Sequence, residues 1–133
     1  MSADTTEPRA RRLLLVEDDR FLRKAAETSL KRHGYHVVTA CDGEEALRLA
    51  RTEKPDLILL DLIIPKVQGF EVLRTLKADA ETASIPVIVL SNLSQDHDRD
   101  ATLAAGAMAH LVKANISLEH LVATVGRALA GTA

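Results

Sequence analysis

Asp61 follows the apolar run Leu57-Ile58-Leu59-Leu60, and Glu17, Asp18 and Asp19 follow the apolar run Leu13-Leu14-Leu15-Val16. Two further apolar runs end in a hydroxyl and an amine: Pro86-Val87-Ile88-Val89-Leu90 leads to Ser91, and Ala109-His110-Leu111-Val112 leads to Lys113. Carboxylates brought together repel, and some titrate high unless a cation neutralises them. Mg2+ is the natural candidate, because it takes oxygen ligands and keeps several waters. With that charge balanced, one carboxylate can act as a nucleophile toward a phosphoryl group. A nearby lysine and hydroxyl would stabilise charge on the transferred phosphoryl oxygens. Each residue also has a plainer reading: Asp18 or Asp19 as a helix cap, Ser91 as the start of a turn, Lys113 as a surface cation. Four such run ends in one small chain are hard to ascribe to chance.

These residues share a site only if the runs are strands of one parallel sheet. The run 57–60 is short, opened by Pro55-Asp56, and followed by Leu62-Ile63-Ile64 and then Pro65. It reads as a strand buried on both faces, although periodicity alone does not exclude a helix segment. Around it the pattern alternates. A helix is expected over 19–33, with Phe21, Leu22, Ala25, Ala26, Ser29 and Leu30 on one face and Gly34 as its stop. Residues 35–40 read as a strand, Asp42 as a cap, and 44–52 as a helix with Ala46, Leu47, Leu49 and Ala50 inward. Phe70, Val72, Leu73 and Leu76 mark a third helix ending near residue 78. A polar stretch 92–100 leads into an alanine-rich helix stopped by Gly106, and Ser117 caps the last helix, with Leu118, Leu121, Val122, Val125 and Leu129 behind it on the inward face. Five strands alternating with five helices imply an α/β fold with a parallel sheet covered on both faces. The carboxyl ends of its strands then lie along one edge, where such sheets hold ligands. No glycine-rich phosphate loop follows any run, which speaks against Rossmann and P-loop readings.

The 133 residues suit one domain, read as residues 12–130 behind a flexible tail at 1–11. Hydrophobic residues make up 47% and charged residues 27%, a globular balance. Aromatics are only 2% and the net charge is -2, so direct nucleic-acid binding is not expected. Cys41 is the only cysteine, which excludes an intrachain disulfide and fits a reducing compartment. No apolar run is long enough to span a membrane, and the N-terminus lacks a secretory apolar segment. A cytoplasmic protein is expected.

The motifs LLLVEDD, DGEEAL, PDLILLDLIIPKVQGFEVL, IPVIVLS and HLVKA, in this order, resemble the receiver domains of two-component response regulators, of the chemotaxis-regulator kind. The resemblance covers about residues 12–130. It implies a flavodoxin-like (βα)5 fold with strand order 2-1-3-4-5. It implies that Asp61 accepts a phosphoryl group from a sensor histidine kinase or phosphotransfer protein. Glu17, Asp18, Asp61 and the backbone carbonyl of Ile63 would be the Mg2+ ligands, directly or through water. Ser91 and Lys113 would contact the phosphoryl group, with Ser91 also part of the switch. A downstream protein target would read the fourth helix, fifth strand and last helix, from a monomer or weak homodimer. The chain would catalyse only its own phosphorylation and dephosphorylation, with no output domain after the last helix.

Four positions depart from the family pattern. Gln68 stands where an aspartate is common, and Asn92, next to the hydroxyl, is a possible modulator of dephosphorylation. His110 takes the aromatic switch position, usually Tyr or Phe, and a half-buried strand histidine is the plainer reading. Ala114 replaces the proline that usually follows the lysine. A cis bond before alanine costs roughly 3 kcal/mol, so the expectation is a trans bond with a reshaped loop or a strained cis bond. Two alternatives stand beside the receiver reading. One is a pseudo-receiver that binds without phosphorylation. The other is an aspartyl-phosphate phosphatase, which lacks an acid two residues after Asp61, where Ile63 stands, and lacks room for a cap.

Overall fold

The computed structural model describes residues 10–92 and 96–131. Most of the expected tail and the last two residues lie outside that range. In chain order the elements are β1 (Arg12–Val16), α1 (Arg20–Arg32), β2 (His36–Ala40), α2 (Gly43–Glu53), β3 (Leu57–Leu60), α3 (Gly69–Ala78), β4 (Val87–Ser91), α4 (Asp96–Ala104), β5 (Ala109–Val112) and α5 (Leu118–Leu129). The strands form one parallel sheet in the order β2-β1-β3-β4-β5.

Adjacent residues on a strand face opposite sides, and the chain uses both for burial. Leu14, Val16, Ile58, Leu60, Val87 and Val89 pack under Ala46 and Ala50 of α2 and Val72, Leu73 and Leu76 of α3. Leu13, Leu15, Leu57, Leu59, Ile88 and Leu90 pack under Ala26 and Leu30 of α1 and Leu121, Val125 and Ala128 of α5. All four residues of β3 are fully buried, which accounts for its unbroken apolar run.

Local signals set the helix ends. Asp19 caps α1 by accepting from the N–H groups of Phe21 and Leu22, Asp42 caps α2 through Glu45 N, and Ser117 caps α5 through His120 N. Gly106, at φ +110°, ends α4 in a conformation that disfavours a side chain. Lys77 bridges the α3–β4 connection by donating to the carbonyls of Ala83 and Ile85, and burial lowers its pKa.

The structure corrects the expected faces of two helices. Phe21 is 86% exposed and Ala25 is exposed. α1 buries Ala26 and Leu30, with Leu22 half-buried, so its core stripe is narrower than the apolar pattern. At the start of α5, Leu118 is 38% exposed rather than inward. The second strand begins at His36, one residue later than expected, and Tyr35 packs against the core from the loop. The Lys113–Ala114 bond is trans, and Lys113–Asn115 form a single 3-10 turn. Of the two bond geometries the sequence left open, the trans one is present. No helix among the described residues is long and apolar enough to cross a membrane.

Candidate functional site

Register brings the chemical residues together. Val16 pairs with Leu60 across β1 and β3, so Glu17 and Asp61 each stand one step past the same rung. Asp61 N–H donates to Val16 O at 3.1 Å, and Glu17 N–H donates to Ala40 O at 2.9 Å. Ser91 pairs with Val112, so Lys113 stands one step past the β4–β5 rung. The carboxyl ends of β1, β3, β4 and β5 thus converge on one edge, as in other open α/β sheets.

Lys113 Nζ donates to Asp61 Oδ2 at 2.7 Å and to Glu17 Oε1 at 2.7 Å. Both carboxylates are buried, at 5% and 2% exposure. Their other oxygens are also engaged: Ile63 N–H donates to Asp61 Oδ1 at 3.1 Å, and Asp19 N–H donates to Glu17 Oε2 at 3.1 Å. Burial pushes the Glu17 pKa up, and the hydrogen bonds from Lys113 and Asp19 N–H offset only part of that. Burial pulls Lys113 down, but Asp61 and Glu17 together outweigh it and hold its pKa above the usual lysine value. Asp18 is exposed, and with Glu17 and Asp61 it supplies carboxylate oxygens all within 4.8 Å of one another.

The site therefore sets three carboxylates against one ammonium. An oxygen-only donor set with excess negative charge, open to solvent at Asp18, suits a hard divalent cation such as Mg2+. Of the two cap candidates, Asp19 is the residue that caps α1, which leaves Asp18 to the site.

The loop after Asp61 is closed tightly. Gly69 N–H donates to Leu62 O at 2.9 Å. A Cβ at Gly69 would stand 2.4 Å from both Asp61 O and Leu62 Cα, so only glycine lets α3 start this close to Asp61. Gln68 precedes it as the α3 N-cap without a side-chain cap bond. Ile63, expected to offer its carbonyl, meets Asp61 through its backbone N–H, and the residue is 61% exposed.

Ser91 is fully buried at the end of β4, and Asn92 is exposed just beyond it. His110 is half-buried on β5, with Nδ1 2.8 Å from Thr102 Oγ1 of α4. That hydroxyl also donates to Arg99 O at 2.9 Å. With its one hydrogen used there, the imidazole is the donor from Nδ1. Thr102 is fully buried and was not singled out by the sequence. A polar residue inside an alanine-rich helix was the available signal. Arg23 was missed as well: its Nη1 donates to Glu17 O at 3.0 Å, with a longer contact to Asp18 O at 3.4 Å.

A doubly wound parallel sheet of order 2-1-3-4-5, with carboxylates and a lysine meeting at its carboxyl edge, defines the flavodoxin-like class of receiver modules. The family model described as "Response regulator receiver domain" matches residues 13–126, and the chain belongs to that family. It is 37% identical over 120 residues to Protein PilH of Pseudomonas aeruginosa, covering 90% of this chain and 98% of that protein. It is 44% identical over 101 residues to the transcriptional regulatory protein AfsQ1 of Streptomyces coelicolor, covering 76% of this chain and 44% of that one. The chain thus spans under half the length of some curated relatives it matches and nearly all of another. Among solved structures, the chemotaxis response regulator CheY4 of Vibrio cholerae superposes with a TM-score of 0.83 at 29% identity, covering 90% and 98% of the two chains. A putative response regulator from Chloroflexus aurantiacus gives 0.85 at 29% identity, covering 92% and 99%.

Proposed function

We propose that this receiver accepts a phosphoryl group on Asp61 from a histidine kinase or phosphotransfer protein, and that the modification switches a protein-binding surface. The observation that carries the reading is the convergence of Lys113 on two buried carboxylates, Glu17 and Asp61. In the transfer, an Asp61 oxygen bonds to phosphorus as the phosphorus–nitrogen bond to the donor imidazole breaks. The electron pair stays on that imidazole, which takes up a proton. Lys113 holds the acceptor oxygen in place and balances charge on the phosphoryl oxygens. Glu17, Asp18 and Asp61 would hold Mg2+, with the Ile63 carbonyl as a further ligand, and the ion supplies positive charge against the phosphoryl oxygens. Ser91, buried at the next strand end, is the hydroxyl within reach of a modified Asp61 on this reading. The chain catalyses only its own phosphorylation and hydrolysis, in the cytoplasm.

The donor must approach beside Asp18. There Phe21, Ala25 and Leu118 form an exposed apolar patch flanked by Lys24 and Arg32, which supports docking over α1 and the start of α5. The output face is the α4–β5–α5 side, where Leu103 and Met108 are 41% and 40% exposed and His110 links β5 to α4 through Thr102. Phosphorylation would shift that face between two populated arrangements.

The test is intact-protein mass after incubation with Mg2+ and acetyl phosphate, on wild type and Asp61→Asn. A single phosphoryl adduct on wild type, absent in Asp61→Asn and without Mg2+, is expected. No adduct on wild type, together with no binding of beryllofluoride, would move the protein to the pseudo-receiver reading.

A further inference from the structure

We infer that Arg23 is a positioning residue for the acidic site, fixing the backbone from which Glu17 and Asp18 project. This deepens the function proposed above and rests on it. Arg23 lies in the first turn of α1, where its own N–H bonds Asp19 O at 2.9 Å. Its side chain folds back past the helix start, and Nη1 donates to Glu17 O at 3.0 Å and more weakly to Asp18 O at 3.4 Å. These carbonyls belong to the β1–α1 connection, and among the described residues no backbone N–H bonds to them.

The Glu17 carboxylate is already fixed by Lys113 and Asp19 N–H. Asp18 differs. It is exposed, and among the described residues nothing hydrogen-bonds its carboxylate. Its direction follows from its backbone, which is held through Asp19 N–H on Glu17 Oε2 and through the Arg23 guanidinium on the Glu17 and Asp18 carbonyls. Holding the carbonyls on either side of the Asp18 Cα limits the torsions that would swing Asp18 away from Asp61.

Two effects of Arg23 oppose each other. Its charge repels a cation, and its hydrogen bonds order the ligands. The guanidinium borders an open groove with Arg20, Phe21, Lys24, Glu27 and Thr39, where solvent screens the repulsion. Its hydrogen bonds reach the ligand backbone directly, so ordering prevails. Partners that orient ligands typically change metal affinity by roughly 10- to 100-fold when removed.

The test is Mg2+ affinity by isothermal titration calorimetry on wild type, Arg23→Met, Arg23→Lys and Arg20→Met. Arg20 is exposed on the same turn and makes no bond to either carbonyl, so Arg20→Met removes an equal charge without the restraint. Roughly tenfold weaker binding in Arg23→Met is expected, with partial recovery in Arg23→Lys, which keeps a donor. Arg20→Met should bind as well as wild type or better. Amide exchange at Asp18 and Asp19 in Mg2+-free protein should quicken in Arg23→Met with the melting temperature held. Unchanged or tighter binding in Arg23→Met would overturn the inference while leaving the site intact. Failure of wild type itself to bind Mg2+ would instead strike the proposed function and the inference with it.

Discussion

Replacing Lys113 by Met keeps the stem of the side chain and removes the one ammonium that bridges Glu17 and Asp61. Two buried carboxylates then face each other with oxygens within 4.8 Å. At an effective dielectric of about 20 their repulsion, which Lys113 offsets in wild type, is at least about 3.5 kcal/mol. Lys113 is 14% exposed, and its own desolvation is recovered in the variant, which lowers the net loss to about 2–3 kcal/mol. For a domain of this size that is a fall of about 10 °C in melting temperature. The loss should depend on pH. Burial already raises the Glu17 pKa above its ordinary 4.5, and removing Lys113 takes away a group that pulls it down. A carboxyl group whose pKa is raised by folding binds its proton more tightly when folded. Its contribution to stability is present below pH 4.5 and is lost as pH rises through the folded value. Lys113→Met should therefore melt close to wild type near pH 4.5 and well below it at pH 8, with Mg2+ restoring much of the difference by mass action. Thermal and urea unfolding followed by circular dichroism, across that pH range with and without Mg2+, reads this directly. Equal stability at pH 8 without Mg2+, or a deficit of constant size at every pH, would refute the electrostatic account of the site.

Two further outcomes follow from residues the sequence placed poorly. Phe21→Ala should slow phosphoryl transfer from a histidine kinase active on wild type by roughly fivefold, the loss of about 1 kcal/mol at an interface contact. Its acetyl phosphate rate should hold, and its stability should change by no more than about 0.5 kcal/mol because Phe21 is 86% exposed. An equal loss with both donors would remove α1 from the docking surface. Thr102→Val keeps the shape of a fully buried residue but deletes the hydroxyl shared by Arg99 O and His110 Nδ1. It should cost about 1–2 kcal/mol in urea unfolding and shift the His110 imidazole resonances, and an unchanged midpoint would deny the α4–β5 link.

Much of this molecule is legible in one dimension. Apolar runs of strand length alternate with helical periodicities, so the parallel sheet and its two covering layers follow. A chemical residue after each of four runs predicts a site at the carboxyl edge. Asp19, Asp42 and Ser117 announce their helix starts because a cap is a local interaction, made within three residues. The α1 face was misread for a related reason. Phe21 and Ala25 form one stripe and Leu22 and Ala26 the next, and both fit a helical period. Only the sheet beneath α1 chooses between them, and it takes the second.

What the sequence determined, then, is the order of elements and the residue types at their ends, because both are written in contacts between near neighbours. The partners of those end groups were decided in three dimensions. Lys113 meets Asp61 from 52 positions away because Val16 aligns with Leu60 and Ser91 with Val112. Arg23 turns back on the Glu17 carbonyl, and Thr102 reaches His110 across two elements. The trans bond and short turn at Lys113–Asn115 were likewise settled by the surrounding structure. Hydrogen bonds and buried charges depend on distances of a few ångströms, and those distances exist only once strand register and helix packing have been set.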